Sequence, residues 1–488
     1  MNFHIKKKFS GLFFFLLVSS AWCLEIDVHN YTFFAEKSYA EIHLRVLSQS
    51  LSKKTSDLQS KAGVECILIV YNKDSLAVFV DKFLLQGEID ANNPKDLLTV
   101  KRFYIEQGTY RVHLQAFDIN EKTNYLELEQ KLVVTGEGKT VPGLSDPVLL
   151  SRKIVMAADA DQRLSRHGFV IEPLPFSYAD TGQHILYFMQ EVYIPQPDSN
   201  QVYFLNYTIS DQYKENLTVK VLISQYKKLE NLSFQFVMIP LSLKELISGE
   251  YHLSTYLLNK EKQRFSEKKA NFFKTNPKAD IIKLEIESDD SSTFASTIPA
   301  EELDYILKAH VPITGNIQLP TLQEIIQSDN ISRKRKFIGQ FWMKKNPVSP
   351  AESFQKYMEV ARAVDKEYYS NVGYGFQTHR GYIFLKHGKP SSILSIDNEP
   401  DAPPYEIWYY NKTLTTNQTN VRFLFWNESL SHNDFWLLHS TCYGERNNPA
   451  WEAQLYRSVP NEKLDNTVDG TQVKPGWNRQ ARTYFNQF

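Results

Sequence analysis

Cysteine is almost missing from this 488-residue chain: Cys23, Cys66 and Cys442 are its three examples. That excludes a disulfide-stapled fold and any cysteine-built metal centre. Cys66 and Cys442 fall in different expected domains and are read as two separate buried thiols, each packing as a small apolar group. Charge of either sign is also lacking in excess. The formal net charge is −1, without the basic surplus that nucleic-acid binding needs. After the N-terminus no apolar run reaches the 18 or so residues of a membrane-spanning helix. Gly-x-Ser-x-Gly, a Walker loop and His-Glu-x-x-His are all absent. The 12 histidines are scattered, without close pairs on one helix face. No cofactor or metal is expected.

Aromatic residues are plentiful, at 13% with 27 Tyr and 31 Phe, which favours β-rich structure. The first 23 residues have the build of a secretory signal: Lys6, Lys7 and Lys8, then the apolar stretch from Leu12 to Val18, then Ala21 and Cys23 at −3 and −1 of a cleavage before Leu24. Cys23 permits a second reading, as a lipidated anchor, although Trp22 stands where a small residue is usual. The two readings place the protein free in the periplasm or associated with the outer membrane.

Residues 24–140 alternate apolar and polar side chains, as in Ala40, Ile42, Leu44 and Val46 against Glu41, His43 and Arg45. Such a period of two predicts strands with one buried face. Gly108-Thr109-Tyr110-Arg111-Val112 is echoed by Gly249-Glu250-Tyr251-His252-Leu253, and Leu217–Gln225 with Leu232–Ile239 reads as a hairpin-like pair. Two tandem Ig-like β-sandwich modules are therefore expected, at 24–140 and 165–280. The polar stretch 285–299 reads as a linker, and Pro299 with Glu301 and Glu302 as a helix start. A second helix is expected from Thr321 to about Trp342. Within it Ser332-Arg333-Lys334-Arg335-Lys336 reads as a solvated face. From Ala351 to about Ser370, apolar residues at steps of three and four predict a helix. Three strands of an antiparallel meander follow, at Gly381–Lys386, Glu406–Tyr410 and Val421–Trp426. Residues 298–458 thus form an α+β domain, and 459–488 a polar tail without core periodicity.

The most informative segment is Gly375-Phe376-Gln377-Thr378-His379-Arg380-Gly381, ahead of Tyr382 to Pro390. Phe341-Trp342, Asn346-Pro347, Trp408-Tyr409-Tyr410 and Phe423 to Trp426 flank it. In that order and spacing, residues from about Leu303 to Phe425 resemble the GWxTD domain family of exported bacterial proteins. Gly375 and Thr378 match the motif. Phe376 replaces its tryptophan and His379 its aspartate, while Arg380 and Gly381 fit the residues that follow.

The residues themselves suit a turn. Gly375 and Gly381 permit unusual backbone angles, Thr378 can bond nearby backbone, Phe376 anchors the turn, and Arg380 can tie it to a carboxylate or to helix-end carbonyls. The chemical alternative is a ligand site with Arg380 as anion clamp and His379 or His387 moving protons. Trp408, Tyr409, Tyr410, Trp426, Phe435 and Trp436 invite a sugar-stacking reading, but strand alternation puts Trp408 and Tyr410 on one core-facing side. The expectation is a non-catalytic binding or scaffolding protein of the cell envelope, whose partner is another envelope protein or a surface polymer. A hydrolase or transferase using the Phe376–His387 loop, and a carbohydrate-binding module, are the alternatives.

Overall fold

The computed structural model describes residues 24–52, 60–89, 95–122, 124–138, 140–155, 164–198, 200–212, 219–287, 294–370, 373–448, 451–456 and 479–487. The segment expected to be a signal, with Cys23, the Ser/Asp-rich stretch 288–293 and most of the tail lie outside the described residues. The chain is mainly β, with a helical region toward its C-terminal end.

The first unit holds β1 (Ile26–Phe34), β2 (Ser38–Val46), β3 (Ser60–Tyr71), β4 (Ala77–Ile89), β5 (Leu97–Tyr104), β6 (Gly108–Asp118) and β7 (Tyr125–Val134). They form two antiparallel sheets, in the orders β1-β2-β5 and β4-β3-β6-β7. Ala40, Ile42, Leu44 and Val46 of β2 meet Val64, Leu68, Val70, Val112 and Leu114 in one core. Cys66 belongs to that core, and burial pushes its thiol up to about 12. It and Cys442 are free and buried.

The second unit begins earlier than the turn signals suggest. It contains β8 (Gly143–Leu144) and β9 (Val148–Leu150), and a small sheet of β10 (Ile154–Val155), β11 (Ser165–Arg166) and β12 (Phe169–Val170). Then come β13 (Tyr178–Ala179), β14 (Ile185–Tyr193), β15 (Tyr203–Gln212), β16 (Val219–Lys228), β17 (Phe234–Ser242), β18 (Gly249–Asn259) and β19 (Arg264–Lys274). One sheet runs β17-β14-β8, with β9 also on β14; the other runs β13-β19-β18-β15-β16. Both line one core around Phe188, Leu205, Ile209, Leu253 and Phe272. The pair expected as a hairpin is not one. β16 stays beside β15, while β17 crosses to β14, where Val237, Ile239 and Leu241 reach the shared core. The echoed segments do take equivalent places, β6 beside β3 and β18 beside β15. In each, a tyrosine hydroxyl bonds a carbonyl four residues back: Tyr110 to Glu106 at 3.0 Å and Tyr251 to Ile247 at 2.8 Å.

The expectation of one buried face per strand fails at β2. Glu41 and His43 are buried as fully as Ile42, because the second unit covers that side. Tyr31 and Phe33 of β1 pack with Val148 and Leu150 of β9, Ile171, and Met189 of β14. The two units are thus stacked sheet against sheet. Arg166 bridges them: its guanidinium bonds Glu41 of the first unit, and reaches Glu191 of the second at 2.5 Å. Burial works against ionisation of Glu41, yet the His43 hydrogen bond, Arg166 and Arg102 hold its carboxyl at about 2.

The C-terminal domain opens with α1 (Pro277–Glu287), α2 (Leu303–His310), α3 (Leu319–Gln327), α4 (Ile331–Lys345), α5 (Pro350–Glu367) and α6 (His379–His387). The single helix expected over Thr321–Trp342 is two. Ser328-Asp329-Asn330 breaks it, and the Asn330 side chain caps α4 by accepting from Arg333 N at 3.0 Å. The basic run is not a free solvated face. Arg333 pairs with Glu285, Lys334 with Asp304, and Arg335 donates to the Ile298 carbonyl.

The expected strand Gly381–Lys386 is helix α6. The meander is instead β20 (Ser392–Ile396), β21 (Tyr405–Lys412), β22 (Thr419–Trp426) and β23 (Trp436–Ser440). One face of this sheet, with Trp408, Tyr410, Phe423 and Phe425, packs on the helices. Tyr405, Ile407, Leu424 and Trp426 on the other face are covered by α7 (Trp451–Leu455) and α8 (Ala481–Gln487). The end of the tail therefore does supply a core element: Ala481 and Phe485 are buried. Its helix is tied by Glu399, which accepts from Gln480 N at 2.7 Å.

Candidate functional site

The motif forms the joint between α5 and α6. After α5 the chain turns, makes one 3-10 turn at Gly375–Gln377, and enters α6 with Thr378 as its cap. The Thr378 hydroxyl donates to the Gly375 carbonyl at 2.7 Å and accepts from Gly381 N at 3.1 Å. Gly375 N donates to Asp365 Oδ1 at 2.6 Å, and Tyr305 holds the other carboxylate oxygen at 3.0 Å. The glycines are needed for close approach and not, as expected, for unusual angles. Neither has positive φ, but a Cβ on Gly375 would strike the Asp365 carbonyl, and one on Gly381 the Gly375 carbonyl. Phe376 is buried, edge-on to Tyr305 and stacked on Tyr374.

Arg380 is 5% exposed. Nη1 donates to Glu406 Oε1 on β21 at 2.8 Å, and Nη2 to Asn433 Oδ1 at 2.9 Å. Asn433 Nδ2 in turn donates to the Tyr369 carbonyl at 3.1 Å, beyond the end of α5. Phe435 and Tyr368 flank the guanidinium, at 4.1 and 5.1 Å. Of the two expected ties Arg380 makes the one to a carboxylate; the carbonyls at the end of α5 are reached by Asn433 and not by the guanidinium. Glu406 also accepts from Trp408 Nε1 at 2.9 Å.

His379 lies against Trp436, with ring centroids 4.9 Å apart. Burial and the nearby Arg446 lower its pKa to about 4, so it is neutral near pH 7 and a weak base. His387 sits at the other end of α6, about 12 Å along the axis at 1.5 Å per residue. The structure thus groups His379 with Arg380 but not with His387. Of the aromatic candidates, Trp408, Tyr410 and Trp426 are buried in the two cores and present no stacking surface, while Tyr409, Phe435 and Trp436 are partly covered.

His387 has partners that its sequence neighbourhood does not suggest. Its ring is 1% exposed. Nε2 lies 2.9 Å from Glu445 Oε1 and Nδ1 lies 2.7 Å from Thr415 Oγ1. The carboxylate can only accept, so Nε2–H donates; in the neutral ring Nδ1 is then free to accept the Thr415 hydroxyl proton. Burial raises the pKa of Glu445, but the His387 hydrogen bond and Lys386, 2.8 Å away, outweigh it and lower it overall. Thr415 is exposed on the β21–β22 loop. Among the described residues no cluster of three His, Cys, Asp or Glu side chains is placed to hold a metal ion, and no helix is long and apolar enough to cross a membrane.

Stacked antiparallel sheets, followed by helices on a four-stranded meander with a glycine-pinned joint, define a mainly β chain with a C-terminal α+β domain. Residues 301–454 match the family model of the GWxTD domain, and the chain carries that domain there. No curated protein matches its sequence. Among solved structures it is similar to one titled crystal structure of red sea bream transglutaminase, at 9% identity and a TM-score of 0.17. That match covers 52% of this chain and 31% of the other.

Proposed function

We propose that this is an exported, non-catalytic binding or scaffolding protein of the bacterial cell envelope, in which two Ig-like modules carry the GWxTD domain. The observation carrying this reading is the engagement of the motif. Arg380, the one group there suited to clamp an anion, already holds Glu406 and Asn433 inside a packed joint. Recurrence of the tyrosine-to-carbonyl bond at Tyr110 and Tyr251 supports the tandem Ig-like assignment, since such a corner is a mark of that sandwich. Arg380→Ala tests the organising role. Removing one member of a buried pair costs about 3–5 kcal/mol, so a fall in thermal stability is expected with any partner binding otherwise intact. Unchanged stability with lost binding or turnover would overturn it. The partner itself, a protein or a surface polymer, is sought by crosslinking the mature chain in its native envelope. Mass spectrometry of the new N-terminus there decides between cleavage after Cys23 and its acylation.

A second reading, an envelope hydrolase or transferase, is favoured by the Thr415–His387–Glu445 chain. The exposed Thr415 hydroxyl would lose its proton to His387 Nδ1 as Oγ1 bonds an acyl carbon. The same proton would then pass to the departing alcohol or amine as its bond to that carbon breaks. Thr415→Val should abolish hydrolysis of activated esters such as p-nitrophenyl acetate, and Thr415→Ser should retain it. Equal rates in all three proteins would discard this reading.

A further inference from the structure

A cavity of about 760 Å³ opens between the two stacked β units, within the size range of small-molecule sites and at the kind of domain interface where they occur. One wall is aromatic. Phe34, Tyr193 and Phe234 form a row, with neighbouring ring centroids 5.8 and 6.0 Å apart. The floor is ionic but internally matched. Arg166 and Glu191 line it, Arg166 also pairs with Glu41 outside the lining, and Tyr193 donates to Glu191 Oε2 at 2.5 Å. Burial alone would raise the pKa of Glu191, yet the His167 hydrogen bond and Arg166 bring it down, so both carboxylates stay charged without a ligand.

What the floor leaves over is donor capacity at the rim. Arg102 Nε is held by Glu41 at 2.5 Å, but Nη2 has only a 3.5 Å contact to the Ser165 carbonyl, and Nη1 has no partner among the described residues. Arg102 is 38% exposed. His167 gives Nε2 to Glu191 at 2.8 Å and packs on Phe234, with its side chain 36% exposed. A rim with a half-engaged guanidinium calls for a carboxylate, which accepts from its planar fork. An aromatic row calls for a ring face to lie against it.

From these features we infer that the cavity binds a ring compound bearing a carboxylate, with the acid on Arg102 and the ring on Phe34 and Phe234. Such a group is supplied either by an acidic sugar or by a free aromatic acid. The inference deepens the binding reading by naming a ligand class. Because both units line the cavity, occupancy would hold them together and raise the unfolding temperature as ligand concentration exceeds its Kd.

The test is calorimetric titration and thermal melting of the full chain with glucuronic acid, phenylacetate and, as the uncharged counterpart, glucose. Binding of at least one acid with no binding of glucose is expected. Arg102→Met should weaken it about tenfold or more, the range of a charge-assisted contact. Phe234→Ala replaces a 40% exposed ring and should fold normally while also weakening binding. Preference for glucuronic acid assigns the sugar source, and preference for phenylacetate the aromatic one. Binding of neither acid, equal binding of glucose, or binding untouched in Phe234→Ala would overturn the inference. If an envelope partner is still crosslinked in that case, the broader binding reading stands without this cavity.

Discussion

At the scale of single residues, the GWxTD loop is governed by contact distances. Gly381 accepts the Gly375 carbonyl against its α-carbon, and no side chain fits between them. Gly381→Ala should therefore destabilise the C-terminal domain by several kcal/mol, since backbone, unlike a flexible side chain, has little freedom to retreat. Loss of its cooperative melt while the β units still melt normally would show this. Sequence alone supplied the residue types of the joint: turn-formers at Gly375 and Thr378, an anchor at Phe376, a tether at Arg380. It could not supply Glu406, Asn433, Thr415 or Glu445. Each lies at least 26 residues from its partner in α6, and nothing in its own neighbourhood distinguishes it from a surface polar residue.

At the scale of elements, the misassigned strand is instructive. Tyr382-Ile383-Phe384-Leu385 is a short apolar run of residues that favour strands, and periodicity cannot separate a buried strand from a buried helix over four positions. The end signals could have done so. Thr378 caps the start, and Gly388, at φ +87°, takes a positive-φ conformation that favours glycine just past the end. A missed cap also hid the break between α3 and α4. Asn330→Ala should cost about 1 kcal/mol, the usual loss for such a cap, readable as a small drop in denaturation midpoint without change of slope. The long α5, by contrast, was legible, because its stripe of Met358, Ala361 and Val364 is wide and regular.

At the scale of the whole molecule, acid should take the chain apart in stages. Burial lowers His310, His379 and His439 of the C-terminal domain to about 4, with Arg446 adding to the effect at the last two. Each ring is neutral when folded and protonated when unfolded between pH 6.5 and 4, so stability is lost as pH falls through that window. In the first unit burial also lowers His43, which pulls in the same direction. Glu41 acts lower down: with its folded pKa near 2, its contribution is present above about pH 4.5 and lost as pH falls toward 2. Every tryptophan among the described residues, from Trp342 to Trp451, belongs to the C-terminal domain. Tryptophan fluorescence should therefore change at a higher pH than the β-sheet circular dichroism. Coincident transitions would contradict this staging.

The shared face between the two β units sets a limit on heredity as well as on stability. A segment ending near residue 140 would bare Tyr31, Phe33 and the carboxylate of Glu41, with neither Arg166 nor Met189 to meet them. Cut out alone, the first unit would be sticky, and Glu41 would keep Arg102 and His43 but lose Arg166 and its cover from solvent. Gene rearrangements should accordingly have moved the pair as one block and seldom either half, and a recombinant fragment made for study should begin near Leu24 and run through at least Lys274.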